Sequence, residues 1–132
     1  MSNEIIRHLK IHFDLSFDML EKHINNCPDL LWDQKCGGFI FWQQILHCLT
    51  GVLFWTRNKN DEFVEPFNER EVYPELEKDP VGRITKEEMH ELVKVVKLQK
   101  EELFLNKNDK WLLANSILYN RIRNIDIIEG QI

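Results

Sequence analysis

Five histidines and three cysteines carry most of the reactive chemistry in this 132-residue sequence. His47 follows Gln43 by four residues and precedes Thr50 by three, a spacing that puts the three on one side of a helix. An imidazole in such a strip serves either as a metal ligand or as a hydrogen-bonded structural residue satisfied by one donor and one acceptor, and the residues alone favour the second role. Cys48 adjoins His47, but neighbouring helical positions point about 100° apart, so core packing explains the thiol better than a thiol–imidazole pair. His8 and His12 stand four apart and can share a metal on a helix surface, yet without a third ligand they read as solvated neighbours. Cys36, just before Gly37-Gly38, is the more accessible thiol. The carboxylate pairs Asp14/Asp18 and Glu87/Glu91 read as solvated helix faces. No Gly-rich phosphate loop, nucleophile elbow or His-Glu-x-x-His sequence occurs.

Four helical segments must position these groups. Leu9, Phe13, Phe17, Leu20, Ile24 and Cys27 recur at spacings of three and four and predict helix one, stopped at Cys27-Pro28-Asp29 because proline disfavours helix in the residue before it. A turn through Leu31-Trp32 leads to Gly37-Gly38. Helix two is predicted from about Gly38 to Thr56, with Trp42, Leu46, Leu49 and Leu53 as one apolar stripe and Phe41, Cys48, Val52 and Trp55 as a second flank. From Arg57 to Arg83 charges and prolines break the pattern, and Phe63, Phe67, Val72 and Tyr73 are available to pin this long crossover to the core. Thr85-Lys86-Glu87-Glu88 is a capping box that opens helix three, carried by Met89, Leu92, Val93, Val96 and Leu103. After a polar turn at Asn106 to Asp109, Leu113, Ile117, Tyr119, Ile122 and Ile125 predict helix four.

The expected fold is therefore all-α: a single domain over 1–132, a four-helix bundle with two antiparallel helix pairs and a long crossover between helices two and three. Its 22 acidic against 17 basic residues give a net charge of -5, opposite to the footprint of a nucleic-acid binder. An odd number of cysteines without paired spacing argues against a disulfide scaffold. No secretory signal is visible at Met1-Ser2-Asn3-Glu4, and polar residues interrupt the apolar stretch from Phe39 to Trp55, so a cytoplasmic location without membrane insertion is expected.

Trp32, the Gly37-Gly38 turn, the run Phe41-Trp42-Gln43-Gln44-Ile45-Leu46-His47 and the terminal Gly130-Gln131-Ile132 resemble, in order and spacing, the DinB/YfiT-like superfamily of small four-helix proteins. The resemblance covers nearly the whole chain and implies the same bundle. Many such proteins hold a divalent metal with one histidine on the second helix and a His-x-x-x-His pair on the fourth, which implies His47 as first ligand. The paired positions, six and two residues before the glycine of Gly-Gln, are here Asn124 and Ile128. An amide oxygen is a weak donor for zinc or nickel and Ile128 offers none, so no cofactor is expected. Gln43, His47, Asn124 and Ile128 are the pocket candidates that this likeness implies.

Two functions follow. The ligand losses favour a non-catalytic or metal-free bundle that binds a small apolar ligand or a protein partner, with Phe41, Cys48, Val52 and Trp55 as candidate homodimer interface. The alternative is a divalent-metal-dependent hydrolase or thiol-dependent transferase, in which zinc or nickel lowers the pKa of bound water or thiol.

Overall fold

The structure is a computed structural model that describes residues 3–57 and 62–114. In chain order it holds α1 (Glu4–Asn26), α2 (Asp29–Trp32), β1 (Lys35–Cys36), β2 (Phe39–Ile40), α3 (Phe41–Thr56), a short 3-10 turn at Asn68–Arg70, α4 (Lys86–Asn106) and α5 (Asp109–Ala114). The described residues are predominantly helical, with one small two-stranded sheet. None of the described helices is long and apolar enough to cross a membrane.

The periodicity that predicts helix one is the periodicity of burial. Leu9, Phe13, Phe17, Leu20 and Ile24 of α1 all lie in the core, joined by Ile6. The helix stops where Cys27 turns extended ahead of Pro28. Helix two begins at Phe41 and not at Gly38, because Gly37 (φ 69°) and Gly38 (φ 98°) form a two-residue loop that folds Phe39 and Ile40 back onto Cys36 and Lys35. The chain just before this hairpin, expected as a turn, holds α2, whose Trp32 is buried and donates its indole N–H to the Ile84 carbonyl at 2.9 Å.

α4 starts with both arms of the predicted capping box in place, Thr85 accepting from the Glu88 amide and Glu88 from the Thr85 amide. Met89, Leu92, Val93, Val96 and Leu103 are buried as expected. This helix packs on both α3 and α1. Its ties to α1 run in opposite directions along the two chains, Lys97 with Glu21, Lys100 with Asp14 and Glu101 with Lys10, so α1 and α4 are antiparallel. α3 and α4 run the same way: Asp33 bonds both Trp42 and Arg83 at their leading ends, while Gln99 bonds the Leu53 carbonyl and the Thr56 hydroxyl further along.

Three further sequence expectations change. Asp14, expected as a solvated carboxylate, binds the ammonium of Lys100, a buried lysine that also lies over the Phe13 and Phe17 rings. Asp109, expected as part of a polar turn, is 6% exposed and accepts from the Ile5 and Ile6 amides at 3.2 and 2.7 Å. Asn3, at the N-cap of α1, makes no side-chain cap, so a carboxylate from the far end of the chain closes that helix start. In α5 the buried leucine is Leu112, whereas Leu113, expected on the inner face, is 66% exposed. The fourth helix beyond Ala114 lies outside the described residues.

Candidate functional site

The crossover is folded down onto α3, and the polar strip of α3 is what receives it. Val72 is buried in the core. Phe63 meets the Phe54 ring edge-on at 5.1 Å, and Phe67 packs against the core. Four residues of this segment, Phe67, Glu71, Tyr73 and Leu76, hold left-handed backbone with φ between 48° and 61°. Such conformations cost side-chain-bearing residues about 1–3 kcal/mol each and persist where surrounding contacts over-determine them. Gly82 has no room for a side chain, since a Cβ there would lie 2.1 Å from the Arg70 carbonyl oxygen.

Gln43 supplies the main anchor. Its amide nitrogen faces three crossover carbonyls, Tyr73 and Lys78 at 2.9 Å and Val72 at 3.3 Å. Three acceptors on one side fix the orientation of the amide, for an oxygen placed there would meet only other oxygens. One turn later His47, half-buried, places Nδ1 2.8 Å from the Pro74 carbonyl. Because that carbonyl can only accept, Nδ1 is the donor of this bond. Among the described residues no hydrogen bond reaches Nε2.

Among the described residues, two buried polar atoms of the strip have no partner, Gln43 Oε1 and Thr50 Oγ1. Gln43 is 0% exposed and Thr50 7%. At the other end of α3, Thr56 shows the usual resolution for a helical hydroxyl, donating to the Val52 carbonyl one turn back at 2.5 Å. Thr50 makes no such bond.

Asp33 closes the leading end of the region. It takes a bidentate pair of bonds from Arg83, both at 2.8 Å, and a third from the Trp42 indole at 3.0 Å. The Arg83 bonds hold its carboxyl below the ordinary range. In the crossover, burial together with Glu75 and Glu77 pushes the Glu65 carboxyl up.

A separate cleft of about 300 Å³ opens between the end of α1, α2 and the hairpin, with Pro28, Leu31 and Phe41 as apolar walls and His23, Cys27, Lys35 and Cys36 also lining it. Cys36 is exposed, whereas Cys27 and Cys48 are buried. Burial pushes the Cys27 thiol up, and it donates to the Pro28 carbonyl at 3.4 Å.

The structure thus brings Gln43 and His47 together on one face of α3, against the crossover. Asn124 and Ile128, the other two pocket candidates, lie outside the described residues. Of the proposed interface flank, Cys48 and Val52 are enclosed within the single chain, while Phe41 and Trp55 are half-buried against the same core and bring that flank to the surface. His8 and His12 are exposed on α1. Among the described residues no group of three or more His, Cys, Asp or Glu is placed to hold a metal ion. Arg83 and the crossover carbonyls were not legible as partners, since their contacts with Asp33, Gln43 and His47 join residues 27 or more positions apart. No family model, no curated protein and no solved structure matches this chain.

Proposed function

We propose that the chain is a DinB-like four-helix bundle that binds and does not catalyse, with the polar residues of α3 holding the crossover in place. The observation that carries this reading is the set of bonds from Gln43 and His47 to the Val72, Tyr73, Pro74 and Lys78 carbonyls. A side chain bonded to three main-chain acceptors is committed to scaffolding, because moving it would strand all three. The cleft beside Leu31 and Phe41 has the size and apolar walls to seat a small ligand. Homodimerisation, through Phe41 and Trp55, belongs to the same reading.

One observation favours the metal-dependent alternative. A ligating histidine commonly donates its second ring N–H to a backbone carbonyl, which is the arrangement of His47 and Pro74 and leaves Nε2 free for zinc or nickel. The remaining ligands would have to come from outside the described residues, and the sequence places Asn124 and Ile128 at the family positions.

Elemental analysis of untagged protein, followed by zinc and nickel titration of wild type and His47→Ala, separates the two. On the binding reading neither protein takes up stoichiometric metal, and His47→Ala lowers stability by about 1–2 kcal/mol through the lost Pro74 bond. Stoichiometric metal that disappears with His47 overturns that reading in favour of the enzyme.

A further inference from the structure

The cleft at the end of α1 has walls that the fold holds in place without a ligand. Pro28, Leu31 and Phe41 make its apolar side. The Phe41 ring is backed by that of Trp32 at 5.9 Å, and Trp32 is itself buried and bonded to the Ile84 carbonyl. The hairpin is pinned by Gln44, whose amide donates to the Cys36 and Phe39 carbonyls at 2.5 and 3.1 Å. Leu31 stays 51% exposed although its neighbour Trp32 lies in the core. Apolar surface kept open in a concave site favours an apolar occupant. At about 300 Å³ the cleft has roughly twice the volume of a cavity that takes one benzene, which suits a chain of about six to eight carbons.

The charges around the cleft select the polar end of that occupant. Among the described residues that line it there is no Asp or Glu, in a chain with 22 acidic residues. The side chains there that can gain positive charge are Lys35 and His23, while burial pushes the Cys27 thiol up, toward its neutral form. The negative end of α1, which borders the cleft, is already met by Lys86, whose ammonium donates to the Cys27 carbonyl. Lys35 bonds Asp79 at 3.0 Å, with the two side chains 56% and 62% exposed. So exposed a pair contributes little to stability, and an ammonium on a flexible stem can exchange Asp79 for the carboxylate of a ligand. An amine would find no anion on the lining and would meet Lys35 as a like charge.

We infer that this cleft is a binding site for a medium-chain aliphatic carboxylate, its chain against Pro28, Leu31 and Phe41 and its carboxylate received by Lys35. The inference rests on the binding reading above and adds to it the chemical class of the ligand.

The test is a titration of isotopically labelled, untagged protein with hexanoate, 1-hexanol and hexylammonium, followed by amide NMR shifts. Saturable shifts at Leu31, Lys35, Cys36 and Phe41 are expected, with hexanoate binding tightest and hexylammonium weakest. Lys35→Met should weaken hexanoate about tenfold, the loss of one bond to a charged group, and leave hexanol unchanged. Asp79→Asn, which releases the ammonium, should tighten hexanoate about threefold. Hexanol binding as tightly as hexanoate, or unchanged hexanoate affinity in Lys35→Met, overturns the carboxylate assignment and leaves the binding reading standing. Absence of saturable shifts in wild type with all three probes overturns the site itself. Stoichiometric zinc uptake that disappears in His47→Ala overturns the binding reading, whatever the cleft does.

Discussion

Asp109→Ala tests whether a carboxylate from one end of the chain fixes the helix start at the other. Asp109 accepts from the Ile5 and Ile6 amides, which belong to the first turn of α1 and have no partner within the helix. Ile6 is buried, so removing the carboxylate leaves its amide without a substitute, at a cost of about 1–3 kcal/mol. The loss of a negative charge from a partly buried helix N-terminus adds up to about 2 kcal/mol. The two effects overlap, and water can replace the acceptor for Ile5, which is 41% exposed, so we expect a net loss of about 2–3 kcal/mol. For a chain of this size that lowers the melting temperature by roughly 6–12 °C. Asp109→Asn keeps one acceptor oxygen and should lose about half as much. Thermal unfolding by circular dichroism ranks the three proteins, and hydrogen exchange at Ile5 and Ile6 locates the effect. Because Asp109 also begins α5, a loss confined to that helix would show in the Leu112 amide instead. If Asp109→Ala unfolds with wild type, or Ile6 keeps its protection, the clasp does not hold α1.

Other outcomes follow from the same contacts. Burial pushes the Asp14 carboxyl up, but bonds and charges from Lys10 and Lys100 outweigh that and hold it below its ordinary value of 3.8. Its contribution is therefore present above that value and lost as pH falls through the lower folded one, so denaturant titrations below about pH 4 should decline less steeply in Asp14→Asn than in wild type. Gln43→Glu keeps the shape of the side chain but turns an acceptor toward three carbonyls; it should destabilise by about 3–5 kcal/mol, clearly more than Gln43→Met, and equal urea midpoints would contradict the assigned amide orientation. Maleimide should label Cys36 first, with Cys27 and Cys48 modified only as the protein opens, as mass spectrometry of timed samples can establish.

What was legible in the sequence was what depends on neighbours in the chain. The α1 stripe and the Thr85–Glu88 box need only local spacing, and both are present where expected. The hairpin escaped because its strands are two residues each, too short to show alternation, and Gly37-Gly38 marked the turn without revealing what it joined. Asp109 sits in a run of polar residues that looks like any solvated turn, and its partners are more than 100 positions away. Of the stripe expected in helix four only Leu113 is among the described residues, and the buried leucine there is its neighbour Leu112. Of the candidate site, Gln43 and His47 lie together on one face of α3, and their partners are main-chain carbonyls, which no side-chain pattern encodes.

That difference bears on how the α3 face should be understood. Had its polar residues faced water, their spacing would mean little. The crossover instead covers them, and a segment with four left-handed residues stays folded only where outside contacts compensate. Gln43 and His47 provide those contacts with their nitrogens, and among the described residues Gln43 Oε1 is left without a partner. A purely structural anchor would gain from a side chain with no second polar atom. A purely catalytic one would gain from a face free of the crossover. On the binding reading proposed above, side chains that hold the loop in this way would set the shape of the face before any ligand arrives, and such preorganisation lowers the cost of binding.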